Sequence, residues 1–180
     1  MKNTLILLLT LSLFAIGCDD DEGTNPGDNQ VTDGWEVGDR ALDFELEDAD
    51  GSMASLTDYR GKLVLMEFWD LDCSICMAEM PDVERLWDDY RDRNDFVIIG
   101  LSQNLDETRW KNYVTATGNS GFPRDWVQVF DSHLQPNVFS RYRVTKTPMR
   151  LLLDENGVIL HREFDGVEMR TLVEAELDIQ

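Results

Sequence analysis

Residues 68–76, Phe68-Trp69-Asp70-Leu71-Asp72-Cys73-Ser74-Ile75-Cys76, decide how the rest of the chain is read. The apolar run Leu63-Val64-Leu65-Met66 stands in front of them. Leu63 to Trp69 is nearly all apolar, as a central strand covered on both faces would be. Behind the cysteines, Met77 to Tyr90 reads as a helix, with Ile75, Val83, Leu86, Trp87 and Tyr90 on one face. Pro81 falls inside that helix and predicts a kink after its first two turns. Cysteines three apart on a helix's first turn can bring their sulfurs within bonding reach. The helix N-terminus also stabilises a thiolate there. A strand-to-helix junction carrying Cys73 and Cys76 therefore points to a redox pair. Glu67 interrupts the apolar strand, and an ionised carboxylate buried there costs several kcal/mol unless it is paired or protonated. Either Glu67 has a task or it lies at a wet end of the strand.

Outward from this junction the chain alternates strands and helices. Upstream, Trp35 to Asp39 opens the domain and Leu42 to Leu46 alternates apolar and polar like a half-buried strand. Asp48-Ala49-Asp50-Gly51 is a turn signal, and Met53 to Leu56 can return as the second arm of a hairpin. Ser55 to Lys62 looks like a short helical turn ended by Gly61. Downstream, Phe96 to Leu101 reads as a second buried strand. Asn104 or Asp106 can cap a helix carrying Trp110, Tyr113 and Val114. Gly118 to Pro123 reads as a loop, Trp126 to Phe130 as a short strand, and Leu134 to Tyr142 as a short helix. Met149 to Asp154 and Val158 to Arg162, joined by Glu155-Asn156-Gly157, form a hairpin pattern. Gly166 precedes a closing helix with Met169, Leu172, Val173 and Leu177 on its face. The plan is α/β with a mixed central sheet and an N-terminal β-hairpin.

The first 35 residues do not fit that plan. Lys2 followed by the apolar stretch Leu5 to Ile16 is too short to span a membrane and suits a signal peptide. It ends Ala15-Ile16-Gly17-Cys18, which resembles a bacterial lipoprotein signal. Cleavage would remove residues 1–17 and leave Cys18 lipid-modified. Residues 18–35, rich in Asp, Gly and Asn, then read as the anchor cysteine and a flexible acidic tether, and residues 36–180 as the folded domain. Such a design holds a domain just off a membrane. The expected location is the bacterial cell envelope, on the extracytoplasmic side.

Composition narrows the remaining choices. The net charge of −20 argues against nucleic acid as a partner. Cys18, Cys73 and Cys76 are the only cysteines, too few for a disulfide-stapled scaffold. A zinc site needs about four ligands, and only His133 and His161 could supplement the pair, so no metal is expected. A c-type haem attachment needs His after the second cysteine, where Met77 stands. A purely structural disulfide closing so short a loop would add little stability.

With these residues in place, the chain resembles the thioredoxin-like superfamily. It is most similar to the membrane-tethered thiol-disulfide oxidoreductases of the TlpA/ResA type, close to the redoxin group. Four features carry the resemblance over roughly residues 36–178. They are the Leu56 to Lys62 lead-in; Phe68-Trp69 with Cys73-Ser74-Ile75-Cys76; Ala78-Glu79-Met80-Pro81; and Tyr142-Arg143-Val144-Thr145-Lys146-Thr147-Pro148 before a strand. The resemblance implies a thioredoxin-like fold. Cys73 would be the exposed nucleophile and Cys76 the buried resolving thiol. Pro148 would be cis, with the Thr147 backbone facing the sulfurs. Glu67 falls where the family carries a buried acid that exchanges a proton with the resolving cysteine. Trp69, Asp72, Thr147 and Pro148 would meet the substrate. The chain departs from the family at Asp72, where Trp is usual, at Ser74-Ile75 between the cysteines, and at Met149 after the proline.

The expected reaction is dithiol-disulfide exchange with a protein substrate, the cysteine pair being the sole redox group and no other cofactor being needed. An upstream electron donor would regenerate the dithiol, and the protein is expected as a monomer. Asp70 and Asp72 place negative charge near Cys73, which should raise its thiol pKa and favour a reductant. Two alternatives stand beside this. A redoxin-type thiol peroxidase would need a framed peroxidatic cysteine, which Asp70 and Ser74 do not supply. A binding lipoprotein that kept the fold would work without Cys73.

Overall fold

The computed structural model describes residues 31–116, 124–132 and 137–179. The expected signal peptide, Cys18, most of the tether, the 118–123 loop and His133 lie outside them. Two short pairs come first. β1 (Asp33–Gly34) runs parallel to β2 (Arg40–Ala41), and β3 (Glu45–Glu47) pairs antiparallel with β4 (Met53–Ser55). The hairpin expectation holds for β3 and β4, but the continuous strand expected over Leu42 to Leu46 is broken. Asp43 turns aside to accept from the Thr57 amide at 3.2 Å, beside a capping box between Ser55 and Asp58 that starts a 3-10 turn over Leu56–Tyr59.

The main sheet has five strands. β5 (Leu63–Trp69) is buried throughout and is followed by the helix α1 (Ser74–Tyr90), with Pro81 inside it. β6 (Phe96–Ser102) lies parallel to β5. α2 (Glu107–Thr115) starts from Asp106, whose carboxylate accepts from the Arg109 amide, so Asp106 and not Asn104 is the cap. β7 (Val127–Phe130) follows, then α3 (Val138–Arg141), four residues where a longer helix was expected. Asn137 caps α3 and starts it late, because its side chain accepts from the Ser140 amide at 3.0 Å. β8 (Met149–Leu153) and β9 (Ile159–Arg162) form the expected hairpin, and α4 (Gly166–Ile179) closes the chain. The strand order is β7-β6-β5-β8-β9, parallel except for the β8 and β9 arms.

The two faces of β5 divide the core by the period of two that a strand imposes. Leu63, Leu65 and Trp69 join Cys76, Met80, Val83 and Leu86 of α1, Trp110 and Val114 of α2, and Met169, Val173 and Leu177 of α4. Val64, Met66 and Phe68 face the other way, onto Phe44, Leu56, Phe139 and Tyr142. Phe68 is met edge-on by Phe139 at 5.0 Å between ring centres. The Tyr142 hydroxyl donates to the Leu42 carbonyl at 2.5 Å and ties the N-terminal extension to the end of α3. A slip of one residue in β5 would swap its side chains between two differently packed cores and part Glu67 from its cross-strand neighbour Arg150, so the residue that follows it is held firmly in space. That residue leads into the cysteine turn.

Candidate active site

Cys73 is the N-cap of α1, and its sulfur lies 3.1 Å from the Cys76 amide nitrogen. The structure carries a Cys73–Cys76 disulfide, with Cα atoms 5.2 Å apart. Exposure divides the pair sharply. Cys76 is 1% exposed and packed in the core, while Cys73 is only partly covered. A reagent from outside can reach one sulfur and not the other.

Asn104, just past the end of β6, organises the turn before the cysteines. Its side-chain amide donates to Asp70 at 3.0 Å, and its carbonyl oxygen accepts from the Ser102 hydroxyl at 2.7 Å. Asp70 in turn accepts from the Asp72 amide at 2.6 Å. Asn104 is buried, and in the sequence it is legible only as a candidate helix cap. Asp72 is exposed and pairs with Arg109 of α2 at 2.7 Å. The acidity expected around Cys73 is thus partly countered by a cation that the sequence reading did not place there. Both partners are exposed, so the pair is screened by solvent and salt.

Across from the sulfurs lies the bond between Thr147 and Pro148, which is cis. The Thr147 carbonyl oxygen lies 3.4 Å from the Cys73 sulfur. Two grooves flank this meeting point. One, of about 420 Å³, runs between Asp70, Asp72 and Cys73 on one wall and Val144 to Thr147 on the other. The second, of about 220 Å³, lies beyond Pro148 and is lined by Ile75, Glu79, Met149 and Phe164 among others. Ile75 was expected on the buried face of α1. It is instead 58% exposed, because as the second residue of the helix it points away from the sheet and into this groove's wall.

Glu67 does not sit at a wet end. It is 2% exposed and pairs with Arg150, its direct cross-strand neighbour on β8, at 2.6 Å. Arg150 is itself fully buried and also reaches Glu79 of α1 at 2.8 Å. Burial pushes the Glu67 carboxyl above the usual carboxylate range, the Arg150 guanidinium pulls it back, and Glu79 adds a further upward push. Arg150 is not among the site residues expected from the sequence. Its signal was there, since a charge inside the run Met149-Arg150-Leu151-Leu152 needs a partner of opposite sign, and Glu67 is a charge inside the neighbouring apolar run. Trp69, expected to meet substrate, is fully buried and packs on Tyr113 at 5.7 Å between ring centres. Its place at the end of a strand buried on both faces makes it part of the core beneath the site and gives it no surface to offer. Among the described residues no group of three or more His, Cys, Asp or Glu side chains could hold a metal ion. His161 pairs with Glu176 of α4 at 3.3 Å.

The arrangement can exchange electrons with a disulfide. An outer sulfur can be attacked or can attack, an inner sulfur can close on it, and a backbone edge stands ready opposite. Comparison with known proteins agrees. The model of the AhpC/TSA family matches residues 37–162. The thiol-disulfide oxidoreductase ResA of Halalkalibacterium halodurans is 32% identical over 131 residues, covering 73% of this chain and 70% of that protein. The thioredoxin-like protein YneN of Bacillus subtilis is 28% identical and covers 81% and 78% respectively. A crystal structure of the thioredoxin domain of a thiol-disulfide oxidoreductase from Bacteroides vulgatus superposes with a TM-score of 0.67 at 29% identity, over 78% of this chain and 97% of that domain. The chain therefore belongs to the AhpC/TSA family and is a thioredoxin-like thiol-disulfide oxidoreductase of the ResA/TlpA type.

Proposed function

We propose that the protein is an extracytoplasmic reductase of protein disulfides, anchored to a membrane of the bacterial envelope by lipid on Cys18. The unequal exposure of Cys73 and Cys76, opposite the Thr147 carbonyl, is the observation that carries the redox half of this proposal. The signal-like residues 1–17 and the acidic tether support the anchored half.

In the working direction the protein begins as a dithiol. The Cys73 thiolate attacks one sulfur of a substrate disulfide. A mixed disulfide forms, and the other substrate sulfur leaves as a thiolate that takes a proton. Cys76 loses its proton to Glu67, and its thiolate attacks the Cys73 sulfur. The Cys73–Cys76 disulfide forms and the second substrate thiol departs, collecting the proton. Two electrons and two protons pass to the substrate, and an upstream dithiol donor returns them. Thr147 and Pro148 offer the backbone edge along which an extended substrate segment lies, with the two grooves taking the residues on either side of its cysteine. Asp72 stands at the rim of the larger groove.

Trapping tests the proposal. In cells expressing the full chain with Cys76→Ser, the mixed disulfide cannot resolve. An adduct with an envelope protein, found in the membrane fraction and released by dithiothreitol, is expected. Cys18→Ser should move the protein out of that fraction. No adduct on Cys76→Ser would overturn the reductase reading, and membrane retention of Cys18→Ser would overturn the anchor.

A further inference from the structure

Arg150 is the one buried group at the site for which the exchange reaction has no direct use. It is 0% exposed on β8, and burying a guanidinium is expensive unless its charge is matched. Two carboxylates match it. Glu67 comes from the adjacent strand at 2.6 Å and Glu79 from the cysteine-bearing helix at 2.8 Å. The bond to Glu67 uses Oε1 only. The second oxygen, Oε2, is buried and has no hydrogen-bond partner among the described residues. Glu67 shares its sheet face with Leu65 and Trp69, whose cluster contains Cys76. Glu79 lies one helical turn beyond Cys76.

We propose that Arg150 is a positioning residue for the resolving step: it clamps Glu67 as a carboxylate by one oxygen, leaves the other open to take the Cys76 proton, and through Glu79 keeps the cysteine helix in register with that acceptor. The assignment rests on Glu67 serving Cys76, as proposed above. The geometry makes the division of labour specific. A lone carboxylate buried at this place would favour its protonated form and be a poor acceptor, whereas a carboxylate hydrogen-bonded by cations on both oxygens would hold a proton more weakly. The titratable and charged groups that act on Glu67 are Arg150 from β8, Glu79 from α1 and Tyr113 from α2, and Cys76 of α1 packs in the core on the same face of β5. Gly100, its neighbour on β6, brings no charge. Only Arg150 among them is a cation. Its loss must therefore raise the proton affinity of Glu67 and push the onset of resolution to higher pH.

The test compares the full chain with Glu67→Gln, Arg150→Met and Arg150→Lys. The readout is the rate at which the mixed disulfide between Cys73 and a small disulfide peptide resolves, across pH. In the parent the profile should carry an inflection that Glu67→Gln abolishes. Arg150→Met should move that inflection upward by about one pH unit or more, as expected when an opposite charge at contact distance is lost. Arg150→Lys should restore most of it. Infrared difference spectra of the parent, with Glu67→Gln as the reference that isolates its signal, should show no protonated carboxyl at neutral pH. A profile unchanged by Glu67→Gln overturns the role given to Glu67. A profile that Glu67→Gln changes and Arg150→Met leaves in place overturns the role given to Arg150 alone. Should Arg150→Met fail to fold, Arg150→Lys and the parent spectrum still decide, and a protonated Glu67 band in the parent at neutral pH overturns the clamp.

Discussion

Replacing Arg124 by Met is expected to be among the most costly single changes away from the cysteines. Arg124 precedes β7 and is buried, as is its partner Glu84 in the middle of α1, and their side chains pair at 2.7 Å. The same guanidinium donates to the carbonyl oxygens of Tyr113 at 2.9 Å and Ala116 at 3.3 Å. Those carbonyls sit at the end of α2, where a helix has no amides of its own left to satisfy them. The guanidinium also lies over the Tyr113 ring at 3.9 Å. Arg124→Met keeps the stem and deletes all of this. Leaving one member of a buried ion pair uncompensated costs about 3–5 kcal/mol. In a domain of this size that lowers the melting temperature by roughly 6–20 °C. The double change Glu84→Leu with Arg124→Met removes the Glu84 carboxylate as well. It should be less harmful than the two single effects added, with a coupling of at least about 2 kcal/mol. Urea and thermal unfolding of the oxidised protein measure both quantities. A cost below about 1 kcal/mol for Arg124→Met, or effects that simply add, would refute the claim that this pair is a coupled buried unit.

Further outcomes follow from other contacts. Tyr142→Phe loses the donation to Leu42 and keeps the ring against Phe68, so it should cost about 1–2 kcal/mol in urea unfolding without altering Cys73 reactivity. Gly100→Ala places a methyl group against the Gln128 amide and the Trp69 indole nitrogen, and should cost about 1–3 kcal/mol by overpacking. Glu67 has a raised pKa in the folded state. The stability it contributes is therefore complete below its unfolded value of about 4.3 and is lost as pH rises through the folded value. The stability of the parent relative to Glu67→Gln should accordingly fall as pH rises above that unfolded value, and a difference that grew with rising pH would contradict the assignment. The midpoint potential, measured in glutathione buffers, should lie below about −180 mV, and Asp72→Asn should raise it by removing negative charge beside Cys73.

How far these features could be read in advance depended on whether a pattern was local. The apolar run of β5, the hairpin around Asn156-Gly157 and the spacing of Cys73 and Cys76 each announce themselves within a few residues, and each appears in the structure. The early break at Asp43 was not legible, because it depends on a bond to Thr57 fourteen residues on. The α3 boundary was missed because a side-chain cap at Asn137 outweighs the apolar period before it. The charge partners were the largest omission. Glu67 finds Arg150 eighty-three residues away and Asp72 finds Arg109 thirty-seven away, and only the sheet register and the docking of α2 bring them together. Trp69 and Ile75 were assigned to opposite sides of the surface from those they occupy. Hydrophobicity alone does not separate a ring at the end of a covered strand from a side chain on the first turn of a helix.

The unequal covering of the two sulfurs has a consequence for survival in an oxidising setting. A peroxide or electrophile that finds this protein meets Cys73 first, and the sulfenic acid it makes there is one bond exchange away from Cys76. That neighbour closes on the damaged atom and expels water before a second oxidation can make the harm permanent. The short loop that lets the pair exchange with a disulfide thus also makes the enzyme its own first repair step, and returns it to the same Cys73–Cys76 disulfide that the exchange already passes through.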